Sequence, residues 1–164
     1  MNNRNPIPDY QTLLLPLLHF CGDGAEHSLR EAIHALAEKF NLHEEQRKEL
    51  LPSGRQPVFD NRVGWARTYL KKAGLLSAPR RGHIRITQRG QDLLKENLQE
   101  LKSKDLLAYD EFQAWHHQNR ASQQRKHPEK APPEVQEPGT PEETLEYAHA
   151  RLRENLASEI LDSL

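Results

Sequence analysis

The chain has 164 residues, 35% hydrophobic and 29% charged, with a formal net charge of −1; that length holds one ordinary core, and the polarity leaves part of the chain outside it. The single cysteine, Cys21, excludes a disulfide framework within the chain and reads as a buried free thiol. With no apolar signal region at the start and no run near the roughly 18 to 20 apolar residues of a membrane span, a cytoplasmic protein with no membrane partner is expected.

The first predicted element is a helix from Asp9 to Phe20, carrying Leu13, Leu14, Leu17, Leu18 and Phe20 at helical spacing. Pro16 inside it lacks an amide donor and is expected to kink or divide the helix. After a turn at Gly22-Asp23-Gly24, Ser28-Leu29-Arg30-Glu31 reads as a capping box opening a helix to about Phe40, with Leu29, Ile33, Leu36, Ala37 and Phe40 on one side. A short polar helix is expected from Glu44 to Leu51, ended by Pro52-Ser53-Gly54. From Pro57 to Ala73, Phe59, Val63, Ala66, Leu70 and Ala73 fall within about 80° on a helical wheel and form the core face. Asn61, Trp65, Thr68 and Lys72 occupy the opposite face, which is expected to be exposed, and Gly74 ends the helix.

Beyond Gly74 the period changes. Leu75 to Ala78 and His83 to Ile86 read as two short strands around Pro79-Arg80-Arg81-Gly82, with Ile84 and Ile86 on one side and His83 and Arg85 on the other. Thr87 caps a helix expected from Gln88 to Asn97, and another is expected from Ser103 to His117. Residues 118–139, rich in Gln, Lys, Glu and Pro, read as a flexible, disordered linker. Thr140-Pro141-Glu142-Glu143 then opens a last helix with a stripe of Leu145, Ala148, Leu152, Leu156, Ile160 and Leu164. The expected fold is mostly α (α+β): a winged helix-turn-helix over residues 8–117 with a small β-hairpin wing, followed by a helix, the linker and a C-terminal helix over residues 140–164.

Charge is distributed unevenly over this plan. Pro52 to Lys95 holds ten Lys/Arg against Asp60 and Asp92, a net +8 that leaves −9 for the rest of the chain. A positive helix joined to a positive wing suggests double-stranded DNA as partner. On that reading Asn61 and Thr68 meet base edges. Arg67, Lys71, Lys72, Arg80 and Arg81 grip phosphates, Arg85 and His83 face outward from the wing, and Arg55 and Gln56 stand just ahead of the recognition helix. Arg62 is either a contact or structural, and Trp65 either packs or touches DNA.

The run Leu50-Leu51-Pro52-Ser53-Gly54-Arg55-Gln56-Pro57-Val58-Phe59-Asp60-Asn61-Arg62-Val63-Gly64-Trp65-Ala66-Arg67-Thr68-Tyr69-Leu70-Lys71-Lys72-Ala73-Gly74-Leu75-Leu76 resembles the N-terminal domain of the Mrr family of restriction endonucleases. Tyr10, Leu13 to Leu18, Glu26 to Glu31, Arg80-Arg81-Gly82 and Ile86 to Gly90 extend the resemblance over about residues 8–97. It implies a winged-helix DNA-binding module joined to a magnesium-dependent nuclease domain of the PD-(D/E)xK type, and type IV restriction of modified, typically methylated, duplex DNA. The nuclease domain is expected to be missing from this chain, which alone is then not an enzyme. Glu100-Leu101-Lys102 fits only the second half of that motif and lacks an apolar strand around it. The nine histidines are scattered, so no metal site or cofactor is expected here. Two other readings fit the same pattern: a free-standing winged-helix transcriptional regulator, whose last helix would pair in a homodimer, and a winged-helix protein-interaction module.

Overall fold

The computed structural model describes residues 7–126, 140–143 and 145–150. The chain begins with α1 (Tyr10–Phe20), capped by Asp9, whose carboxylate accepts the Thr12 amide at 2.7 Å. Pro16 does not divide this helix, which stays continuous to Phe20, packed through the buried Leu13, Leu14, Leu17 and Leu18. A 3₁₀ turn (Cys21–Asp23) follows, then β1 (His27–Ser28) and α2 (Leu29–Lys39). The capping box at α2 is half-formed. Ser28 Oγ accepts the Glu31 amide at 3.1 Å, but the Glu31 carboxylate lies 3.4 Å from His27 Nδ1.

The polar helix α3 (Glu44–Lys48) stops short of Leu51, because Glu49 is extended and Leu50 bridges Pro57. The loop this bridge closes bears Gly54 at φ +74° and delivers the chain to α4 (Val58–Lys72). Phe59, Val63, Ala66, Leu70 and Ala73 are all buried, as the wheel predicts. Next come β2 (Leu76–Ser77) and β3 (His83–Ile86), which form the predicted hairpin. β1 joins it on the far side of β3, giving an antiparallel three-stranded sheet in the order β1-β3-β2. Two residues carry too short a pattern to announce a strand, and β1 exists through its pairing with His83 and Ile84.

α5 (Gln88–Leu94) is capped by Thr87, whose Oγ1 accepts the Gly90 amide at 3.1 Å, and it ends before Asn97. Gly90 lets α5 press onto the sheet: a Cβ there would stand 2.4 Å from the Leu75 carbonyl oxygen. The single helix expected from Ser103 is two, α6 (Ser103–Leu106) and α7 (Asp110–Lys126), and α7 runs into the stretch expected as linker. Residues 127–139 and the Leu152 to Leu164 part of the last helix's stripe lie outside the described residues. The described chain is mostly α with a small sheet, and helix, strand, three helices (the short α3 in the middle) and hairpin is a winged-helix-like order.

Candidate nucleic-acid interface

The centre of the expected site is α4, and its circumference divides into three sectors. The core sector meets α1 and the sheet. The second sector, expected to be exposed, is covered except at Lys72, which stays exposed. Tyr69 is buried among Tyr10, Phe112, Trp115 and His116, with ring centroids 5.2 to 6.4 Å away, so α7 lies along this side. Trp65 stands edge-on to Tyr69 at 6.2 Å, and Lys72 Nζ sits 5.7 Å from the Trp115 centroid in a cation–π contact.

The rest of the covered sector is closed by residues from 140 onward. Trp65 Nε1 donates to Glu142 Oε2 at 2.7 Å, and Arg62 Nε donates to Glu143 Oε1 at 2.6 Å. Asn61 Nδ2 donates to Glu142 Oε2 at 3.4 Å and to Gln56 Oε1 at 3.2 Å, while its Oδ1 accepts the Thr140 hydroxyl in a short hydrogen bond. The Ser53 amide donates to Glu146 Oε1 at 2.6 Å. Thr140 and Glu143 complete a capping box on each other, at 2.9 Å and 3.3 Å. Arg62 Nη1 reaches further, to the Ile7 carbonyl at 2.8 Å, so one guanidinium ties the N-terminal segment, α4 and Glu143 together. Asn61 is only 5% exposed, and the Arg62 and Glu143 side chains 21% and 5%. The expectation of an exposed Asn61 reading bases is therefore corrected: its amide is consumed within the fold. Arg62 is structural in this arrangement, and Trp65 packs.

The third sector is partly open, its Asp60 and Gly64 half-buried. Asp60, Gly64, Arg67 and Lys71 recur at steps of four, three and four and lie within about 60° of one another. Lys71 is exposed and Arg67 half-buried. Thr68 borders this sector, but its hydroxyl donates to the Gly64 carbonyl at 3.0 Å, so that proton is already committed. Burial pushes the Asp60 carboxyl above its ordinary range, against the lowering pull of Arg47 and Arg30. Gly64 has no atom within 4 Å of where its Cβ would be, although glycine inside a helix costs about 1 kcal/mol relative to alanine.

The wing divides in the same way. Arg80 donates from Nε and Nη2 to Glu26 Oε2 at 3.0 and 2.7 Å, holding that carboxyl below its usual range. Arg85 Nε donates to the Gly24 carbonyl at 2.9 Å, and the Gly82 carbonyl accepts the Leu29 amide at 2.9 Å. His83 Nδ1 lies 3.1 Å from the Arg81 carbonyl, while Arg81 itself is exposed. Arg89, one of the ten Lys/Arg between Pro52 and Lys95, bridges the Ala73 carbonyl at 2.9 Å and Glu111 at 3.1 Å, fastening α7 to the end of α4. Of the cations expected at DNA, only Arg62 and Arg80 have an ion pair among the described residues; Lys72 is held over Trp115 and Arg85 on the Gly24 carbonyl, while Arg55, Arg67, Lys71 and Arg81 have no such contact there.

Other chemistry finds little footing. Cys21 is buried and its thiol is pushed up to about 12 by burial and by nearby Asp23. Glu100 and Lys102 are exposed and 3.6 Å apart beside the buried Leu101, outside any strand, so they do not fit the acid-x-Lys of a magnesium-binding nuclease strand. Among the described residues no three His, Cys, Asp or Glu side chains are grouped to hold a metal ion, and no helix is long and apolar enough to cross a membrane.

Comparison with known proteins agrees with this architecture. The chain is 29% identical over 163 residues to the type IV methyl-directed restriction enzyme EcoKMrr of Escherichia coli (strain K12), an alignment covering 96% of this chain and 53% of that protein. The chain thus spans about half the length of that relative. No solved structure matches it. The family model of the Mrr N-terminal domain matches residues 10–96, from the first residue of α1 to just past α5, and so takes in α1 to α5 and the three-stranded sheet: the chain belongs to the Mrr N-terminal domain family.

Proposed function

We propose that this chain is a duplex-DNA-binding module of an Mrr-like restriction endonuclease, directed to methylated DNA, with cutting left to a magnesium-dependent nuclease domain beyond it. The observation that carries this reading is a group of cations with no ion pair among the described residues and none of the contacts that hold Lys72 and Arg85: Lys71 and Arg67 on the partly open sector of α4, Arg81 on the wing and Arg55 on the preceding loop. These would hold phosphates, with affinity that falls steeply as salt rises. Preference for methylated DNA is suggested by the name of the related enzyme, which is methyl-directed. Thr140, Glu142 and Glu143 bond to α4 of the same chain, which gives the start of the last helix a use other than the pairing that a free-standing regulator would need.

The test is a titration of the chain against a duplex and its methylated twin across a range of salt concentrations. The reading expects tighter binding of the methylated duplex and a log-log salt slope near −0.9 for each phosphate held. A flat salt dependence would remove the DNA reading, and equal affinity for both duplexes would remove the methyl preference alone.

A further inference from the structure

Of the seven glycines among the described residues, six have a structural reason. Gly24, Gly54, Gly74 and Gly82 have positive φ between 74° and 79°, which favours glycine. Gly90 and Gly22 are close-packed, a Cβ meeting the Leu75 carbonyl oxygen at 2.4 Å and Leu94 Cδ1 at 3.1 Å. Gly64 has neither reason. It lies inside the 15-residue α4, its φ is not positive, and the space beside it is open. It also lies on the partly open sector of α4, at the edge next to Thr68, with Asp60 one turn before it and Arg67 and Lys71 after it along the helix.

We infer that Gly64 is the point at which α4 comes closest to a duplex, its missing side chain leaving the room that a base edge in the major groove, with or without a methyl group, takes up. The inference rests on the DNA-binding reading and sharpens it. A helix held by Arg67 and Lys71 on phosphates enters the groove as far as its outermost atoms allow. At Gly64 those atoms are backbone, so the bases can approach the helix axis more closely there than beside any other residue of the sector. Thr68, whose hydroxyl proton is bonded to the Gly64 carbonyl, borders the gap without filling it. Gly64 thereby becomes a specificity-determining position, although it offers no side-chain hydrogen bond of its own.

The full chain carrying Gly64→Ala or Gly64→Leu would be titrated against a labelled duplex of roughly 20 base pairs, two helical turns, in unmodified and base-methylated forms, and its melting followed in parallel. Alanine is expected to raise the melting temperature by a few degrees and to weaken duplex binding about tenfold, with leucine weakening it further. For the methylated duplex the loss should be at least as large. Unchanged affinity for both variants, or a lower melting temperature with alanine, would overturn the inference while leaving salt-dependent binding by the unaltered chain intact. Failure of the unaltered chain to bind any duplex would overturn the inference together with the reading beneath it.

Discussion

Two sides of one helix follow opposite rules. On the side of Asn61, Arg62 and Trp65, polar groups are answered by carboxylates and carbonyls of the same chain, and the result is a closed, hydrogen-bonded seam. On the side of Gly64, Arg67 and Lys71 the cations have no acidic partner among the described residues, and space is left beside a glycine. Both sides are polar, so polarity does not tell a joint from a binding face. What separates them is whether each charge has been neutralised by a group of comparable burial, because a charge held by a buried carboxylate contributes little field to solvent.

The largest effect should come from unmaking the seam. Replacing Glu143 by alanine strands the Arg62 guanidinium and is expected to cost about 3 kcal/mol in urea unfolding, with duplex affinity unchanged or raised. A large loss of affinity with normal stability would show that the two sides are not distinct. Next, Lys71→Glu combined with Arg81→Glu should weaken duplex binding by at least tenfold, about 1.4 kcal/mol, while the melting curve barely moves. The salt slope should become shallower by about two.

Trp65→Phe keeps the ring against Tyr69 and removes only the donor to Glu142, so a stability loss of about 1.5 kcal/mol is expected, with DNA binding preserved. The smallest effect belongs to the footing of the wing. His27 Nε2 lies 2.9 Å from Asp23 Oδ2, a hydrogen bond that raises the His27 pKa, with Glu31 adding to it. A raised histidine contributes stability that is fully present below its ordinary value of about 6.5 and is lost as pH rises through the raised value. Melting temperature should therefore decline slightly from mildly acidic to mildly basic pH, and His27→Gln should flatten that decline.

The limits of the sequence pattern can be located on particular residues. α1, α2 and α4 were legible because their apolar residues recur at three- and four-residue steps, and the hairpin because His83 to Ile86 alternates between breaker residues. The core side of α4 was legible for the same reason. Its covered side was not, because the cover comes from Thr140 to Glu146, some eighty positions along the chain, and periodicity reports only that a face is polar. Thr140-Pro141-Glu142-Glu143 does announce a helix start, with Thr140 as N-cap and Glu143 as the acid at the third position. The second use of Glu142 and Glu143, as acceptors for Trp65 and Arg62, belongs to tertiary structure. β1 escaped notice for a related reason: His27 and Ser28 are extended because β3 runs alongside.

The seam also means that two separate segments are fixed to α4: Phe112 anchors α7 against Tyr69, and Thr140 is buried on Asn61. A single nick between residues 126 and 140 would then leave two fragments still clasped together, migrating as one species in native conditions and parting only in denaturant.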